Sequence, residues 1–301
     1  TIIADCDGES RAAIDVEGIL TRSPRAIACA LSVVEQSTFP DAGFSPLPED
    51  LLEASESHRC AVVGVTGTGG SGKSSLTDEL LRRIRLDQQD KLAVAVLAVD
   101  PNRRRSGGAL LGARIRMNAI EGPQVFFRSV GTRDSRSEVP ACVPAMVRIL
   151  SAAGFDLVFV ETPGIGQGDS AVTEVADLSL YVMTPEFGAA SQLEKIEMLD
   201  EADVVAINKF DRRGAQDALR DVRRQMARNR HQFGDAEEMP VFGTVASRFN
   251  DDGVTALYQH LGQLLATRGL ELGQSRLGPV AARTSNGVSV VVPGDRVRYL
   301  A

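Results

Sequence analysis

At 301 residues, with 43% apolar and 24% charged residues, the chain can hold one large α/β domain plus extensions, or two small domains, around a real core. Its formal net charge of −7 has the wrong sign for a general nucleic-acid surface, and no stretch nears the roughly 18–20 apolar residues of a membrane span. Cys6, Cys29, Cys60 and Cys142 are scattered without a C-x-x-C pair, which points to neither a disulfide framework nor a zinc site and suits a reducing cytoplasm. The chain opens on Thr1 with nothing resembling a signal peptide, so a processed product and an excised piece of a longer chain both fit.

Residues 1–57 are weakly patterned and read as an N-terminal extension. A helix is predicted over 24–36, with Ile27, Ala30, Leu31 and Val34 on one face, and residues 37–50, with Pro40, Gly43, Pro46 and Pro48, read as a linker. The main domain is expected over 58–270. Its predicted strands are 60–66, 92–99, 124–130, 156–161, 178–184, 203–208 and 240–245. Helical patterns at 74–86, 108–120, 138–153, 189–200, 214–230 and 253–267 fill most of the gaps. Such alternation predicts an α/β fold with a doubly wound, mainly parallel sheet. The long gap at 100–123 favours parallel pairing of the second and third strands, since antiparallel neighbours need only a tight turn. Residues 271–301 read as an irregular C-terminal tail.

The strongest chemistry lies after the first strand. Gly67-Thr68-Gly69-Gly70-Ser71-Gly72-Lys73-Ser74 matches the G-x-x-x-x-G-K-[ST] phosphate loop, and Leu76, Leu80 and Ile84 follow at helical spacing. Glycines let backbone N–H groups approach phosphates, and the helix N-terminus adds partial positive charge. Lys73 would reach the β- and γ-phosphates and the Ser74 hydroxyl would ligate magnesium.

Three further motifs fall at strand ends, where ligands of such sheets bind. Asn208-Lys209-Phe210-Asp211 has the form of the guanine motif N-K-x-D. Asp211 would accept from the guanine N1 and N2 donors that adenine lacks, Asn208 would hold the loop, and the Lys209 stem would cover the base. Val245-Ala246-Ser247-Arg248 is a candidate second loop on the base side. Glu161-Thr162-Pro163-Gly164 closes the fourth strand, with Glu161 a magnesium candidate and the Gly164 N–H aimed at the γ-phosphate. Lys73, Glu161 and Gly164 are therefore the catalytic candidates. Asp100 ends the second strand as a second magnesium carboxylate. It precedes Arg103-Arg104-Arg105, which compete with Arg128, Arg133 and Arg136 for an arginine-finger role, or form a solvated loop face.

Together, Gly67–Ser75, Asp100-Pro101, Gly107–Gly112, Arg116-Met117, Glu161–Gln167 and Asn208–Asp211 resemble the GTPase chaperones (MeaB/ArgK-like) of adenosylcobalamin-dependent acyl-CoA mutases. Within that family Thr184–Lys195 and Arg248–Val254 are most similar to GTPase domains of the fused isobutyryl-CoA mutase type. The resemblance spans about 58–301 and is weak before it. It implies GTP/GDP bound by Gly70, Ser71, Gly72, Lys73, Ser74, Ser75, Arg116, Asn208, Lys209 and Asp211. It implies Mg2+ at Ser74, Val99, Asp100, Glu161 and Thr162, and a nucleotide-sensing switch at 184–195. It further implies mutase and cobalamin-binding domains as partners, in cis or in trans, a homodimer in the full-length enzyme, and adenosylcobalamin held only by those partners. The cobalamin motif D-x-H-x-x-G is absent and no barrel of about 250 residues fits beside the main domain. One departure stands out: Gly112-Ala113-Arg114 has Ala where the family pattern has a magnesium-site Asp. A small-molecule kinase sharing the phosphate loop and a nickel or cobalt metallochaperone GTPase are the alternatives.

Overall fold

Fully buried parallel strands read as unbroken apolar runs, because both faces are covered by helices. Seven such runs form one parallel sheet in the computed structural model, with bounds no more than two residues from those predicted: β1 Ala61–Gly67, β2 Val94–Asp100, β3 Val125–Gly131, β4 Leu157–Glu161, β5 Leu178–Met183, β6 Val204–Asn208 and β7 Val241–Thr244. The order is β3-β2-β4-β1-β5-β6-β7. β2 and β3 pair in parallel from Val94↔Val125 to Asp100↔Gly131, as the long connection between them predicts. The described residues are 14–37, 47–100, 112–132, 139–164, 171–188, 193, 196, 198–232 and 234–286. Arg103–Arg105, Gly107–Leu111, Arg133, Arg136, Ile165–Gly168, Ala189–Gln192, Glu194, Lys195 and residues 287–301 lie outside them, as does the side chain of Ala113.

The helices are α1 Val16–Leu20, α2 Pro24–Ser37, α3 Glu49–Ser57, α4 Lys73–Gln88, α5 Gly112–Arg116, α6 Val143–Ala152, α7 Met198–Glu201, α8 Ala215–Asn229 and α9 Asp252–Thr267. Two expectations are corrected. The stretch 37–50 was expected to be linker to its end, yet α3 begins at Glu49; Glu49 and Asp50 occupy its first turn, where negative charge is favoured. The helix expected over 108–120 ends at Arg116, because the Asn118 and Ala119 amides donate to Asp78 Oδ1 at 2.8 and 2.6 Å. Among the described residues no helix is long and apolar enough to cross a membrane.

The chain divides into two compact units, Thr1–Cys60 with Ala141–Phe155, and Ala61–Pro140 with Asp156–Ala301. In the smaller unit Arg22 Nε donates to the Ala153 carbonyl at 3.1 Å and its guanidinium lies 5.4 Å from the Phe155 ring centroid. The larger unit carries the sheet and a core on each face. Val63, Val65, Leu180 and Val182 pack with Leu76, Leu80 and Ile84 of α4 and Leu257, Leu261 and Leu265 of α9. Tyr181, Met183, Val205 and Ile207, of opposite parity along the strands, pack with Leu219, Val222 and Met226 of α8. Strand ends and the loops after them are thereby fixed from both sides.

Candidate functional site

β1 delivers the chain into the Gly67–Ser74 loop, and α4 starts at Lys73. Gly72, at the N-cap, has φ +91°, a left-handed backbone suited to glycine, and a Cβ there would sit 2.5 Å from Asn208 Nδ2. Lys73 is buried, and its Nζ donates to the carbonyls of Gly67 at 2.9 Å and Thr68 at 3.2 Å. Thr68 Oγ1 and Ser71 Oγ are buried in the same loop and make no hydrogen bond among the described residues.

Because β4 pairs with β1 through Val65↔Glu161, Glu161 emerges beside the loop. Ser74 Oγ donates to Glu161 Oε1 at 2.5 Å, while Oε2 is buried and lacks a hydrogen-bond partner among the described residues. Burial pushes the Glu161 carboxyl above its ordinary range and the Asp100 charge adds to the rise, while the Ser74 bond, the Lys73 charge and, more weakly, the nearby Thr77 hydroxyl oppose it. Asp100, at the end of β2, is likewise raised by burial, with the nearby Ser129 hydroxyl and then the Arg116 charge offsetting part; its Oδ2 is buried and lies outside hydrogen-bond geometry of any group among the described residues. Val99 is buried one residue earlier. The Thr162 amide donates to the Val65 carbonyl at 2.9 Å and its hydroxyl to Thr66 Oγ1 at 2.8 Å. Gly164 has φ +71°, and a Cβ there would fall on Lys73 Nζ and the Gly67 carbonyl.

The Asn-Lys-x-Asp segment leaves β6 and fastens onto the phosphate loop. Asn208, 3% exposed, donates from Nδ2 to the Ser71 carbonyl at 2.8 Å. Its Oδ1 accepts from Thr244 Oγ1 at 3.2 Å and from the Ala246 amide at 3.0 Å. Lys209, with φ +57°, donates from Nζ to the Gly70 carbonyl at 2.7 Å. Phe210 is buried and its amide donates to the Thr244 carbonyl at 3.0 Å, leaving Asp211 exposed beyond it. Arg212 pairs with Glu186 in the described part of the 184–195 segment.

Thus Gly70, Ser71, Gly72, Lys73, Ser74, Glu161, Gly164, Asn208 and Lys209 are joined by direct contacts, and Asp100 joins them electrostatically. Among the described residues Arg116 reaches this group through its charge on Asp100, and Ser75 and Asp211 are exposed at its margins. Sequence reasoning missed the buried polar set that holds the loop after β7, Arg83, Glu79 and Asp251. The only available signal was an Asp before a helix at Asp251, an ordinary N-cap.

A model of the family described as "Methylmalonyl Co-A mutase-associated GTPase MeaB" matches residues 27–276. The chain is 57% identical over 302 residues to a fused isobutyryl-CoA mutase of Nocardia farcinica, covering all of this chain and 28% of that protein. It is 63% identical over 241 residues to a fused isobutyryl-CoA mutase of Cupriavidus metallidurans, covering 80% of this chain and 22% of the relative. The chain therefore spans less than a third of the length of these relatives. Among solved structures it is similar to an LAO/AO transport system kinase, with TM-score 0.53 and 23% identity over 84% of this chain and 76% of that one. It is also similar to HypB from Helicobacter pylori in complex with nickel, with TM-score 0.51 and 16% identity over 76% of this chain and 98% of the other. These two likenesses are likenesses of fold.

Proposed function

The chain belongs to the family of methylmalonyl-CoA mutase-associated GTPases, and from that premise we propose that it is a magnesium-dependent GTPase serving an adenosylcobalamin-dependent acyl-CoA mutase. In this reading it converts GTP to GDP and phosphate, gates cofactor loading and protects a mutase of the isobutyryl-CoA type. The mutase and cobalamin-binding domains lie in cis, adenosylcobalamin is held by them, and the full-length enzyme is a cytoplasmic homodimer.

The observation that carries the reading is the direct attachment of the base motif to the phosphate loop, through Asn208 to Ser71 and Lys209 to Gly70. A phosphate loop alone is indifferent to the base. Here Asn208 and Lys209 of the base motif are hydrogen-bonded to the phosphate loop, which sets the chain that leads two residues on to Asp211. Guanine offers N1 and N2 donors to the exposed Asp211 carboxylate, and adenine offers neither. Lys73, now bonded to two loop carbonyls, gains charge-assisted acceptors when phosphate oxygens arrive.

Glu161 and Asp100 suit a small hard cation: each has a buried carboxylate oxygen without a protein partner among the described residues, and Ser74 supplies a hydroxyl between loop and strand. Ser74, Asp100 and Glu161 would hold magnesium, with the neighbouring Val99 carbonyl and Thr162 completing its surroundings. When bound, the ion neutralises charge developing on the transferred phosphoryl group. The Gly164 amide, close to Lys73, would support the γ-phosphate. Titration of the chain with GTP, GDP and ATP, with and without magnesium, tests this reading. Guanine nucleotides should bind at least about tenfold tighter than ATP, and an ATP preference would favour the kinase alternative.

A further inference from the structure

We propose that Asp251 is a positioning residue for the base-side loop and that Arg283–Ser285 is the strap that holds it, so that the strap governs how firmly guanine nucleotide is retained. The proposal rests on the guanine reading above.

Asp251 is 1% exposed and both its carboxylate oxygens are engaged. Oδ1 accepts from the Val254 amide at 3.0 Å, the ordinary capping bond of α9. A cap requires nothing more. Yet the same oxygen accepts from the Val245 amide at 3.2 Å, one residue before Ala246, whose amide is bound by Asn208 Oδ1. Asp251 therefore sets the loop that sets Asn208.

The second oxygen belongs to the strap. Ser285 Oγ donates to Asp251 Oδ2 at 2.5 Å, and Arg248 NH1 donates to Ser285 Oγ at 3.1 Å. The strap lies along β7, with the Gly243 amide donating to the Arg283 carbonyl at 3.0 Å, the Ser285 amide donating to the Gly243 carbonyl at 2.8 Å, and Gly243 bridged in parallel to Thr284. Two main-chain bonds hold it to β7 among the described residues, and the Arg283 side chain adds bonds to the Glu238 and Met239 carbonyls at 2.7 and 3.1 Å; no sheet ladder beyond Gly243 depends on it, so it can leave without breaking the sheet. The Asp251 carbonyl accepts from Arg83 NH2 at 3.0 Å, and Arg83 is held by Glu79 Oε2 at 2.7 Å and Thr255 Oγ1 at 3.0 Å. Arg83 and Glu79 sit on α4, the helix that begins at Lys73, so the half-buried strap, the base-side loop and the phosphate helix share one hydrogen-bonded network whose centre, Arg83, Glu79 and Asp251, is buried.

When the strap lifts, Asp251 Oδ2 loses its hydrogen-bond donor and is left with the Arg248 guanidinium at 4.0 Å, Val245–Ala246 loosens, and the acceptor arrangement of Asn208 goes with it. Guanine nucleotide then leaves faster. The test is stopped-flow release of a fluorescent GDP from the full chain and its Ser285→Ala, Ser285→Thr and Asp251→Asn variants, with melting measured alongside. Ser285→Ala should release GDP about threefold to tenfold faster and Asp251→Asn about tenfold or more, while Ser285→Thr, which keeps the hydroxyl, stays within about twofold of the parent. Unchanged release in Ser285→Ala and Asp251→Asn, with or without a lower melting temperature, reduces Asp251 to a helix cap and overturns the proposal. A parent chain that holds ADP as well as GDP overturns the guanine reading instead, so the two failures are told apart.

Discussion

Replacing Asn208 with Ala removes one of the two bonds that fasten the Asn-Lys-x-Asp segment to the phosphate loop and leaves the other, from Lys209 to Gly70. The Asn208 Nδ2 bond to the Ser71 carbonyl and the two bonds its Oδ1 accepts, from Thr244 and Ala246, are lost together. All three partners are in buried residues: Ser71 and Thr244 are 0% exposed and Ala246 is 8% exposed. A buried group left without a partner costs about 1–3 kcal/mol, and water entering the small space left by the amide recovers part of that. A loss of about 2–4 kcal/mol is expected, which for a unit of this size is a fall of roughly 5–15 °C in melting temperature. Asn208→Asp is the sharper probe: it keeps the acceptor for Ala246 and Thr244 but turns a carboxylate oxygen on the Ser71 carbonyl, so it should damage GTP binding more than melting. Differential scanning calorimetry and isothermal titration with GTP read the two quantities separately. If Asn208→Ala melts within about a degree of the parent and binds GTP unchanged, the Asn208 bonds are not what orders this site.

Three further outcomes follow from the same contacts. Asp211→Ala should cost GTP affinity about tenfold or more while leaving ATP binding almost unchanged, and equal losses for both nucleotides would remove Asp211 from base recognition. Gly164→Ala puts a Cβ onto Lys73 Nζ and forces a non-glycine residue to φ +71°, about 1–2 kcal/mol of strain, so GTP turnover should fall at least about tenfold; undiminished turnover would free Gly164 of any catalytic part. Burial works to raise the Asp87 carboxyl, but the Tyr258 hydroxyl at 2.6 Å, the Leu277 amide, Ser275 and the Arg276 amide outweigh it and hold its pKa below the ordinary value. Its stabilising effect is present above the unfolded pKa of about 3.9 and is lost as pH falls through the folded value, so the stability gap between the parent and Asp87→Asn should narrow on acidification below pH ~4. A gap that is constant down to pH ~2 would refute that role.

Much of the fold was legible because buried parallel strands and glycine loops leave local marks. Cys60–Val65, Leu157–Val160 and Val204–Ile207 are continuous apolar runs, and a phosphate loop cannot be built without residues lacking a Cβ. What was illegible depends on distant partners. On α4 the apolar stripe Leu76, Leu80, Ile84 was plain, but no local pattern marks Asp78, Glu79, Arg83 and Asp87 for burial, and all are under 9% exposed. Their burial is compensated by groups far along the chain: Asn118 and Ala119 for Asp78, Thr255 and Asp251 for Arg83, Tyr258 and Ser275–Leu277 for Asp87. α3 hid for a related reason: its sequence EDLLEASES is mostly polar, and its buried positions are Leu51 and Ser55.

In the proposed function one site uses magnesium to cleave GTP and reads guanine while doing so. Its most direct test is phosphate release by the full chain at saturating GTP and at saturating ATP, each with excess magnesium and with EDTA. Release should occur with GTP and magnesium and should fall at least about tenfold when either the base or the metal is changed. Equal release from ATP, or release from GTP that persists undiminished in EDTA, would contradict the account.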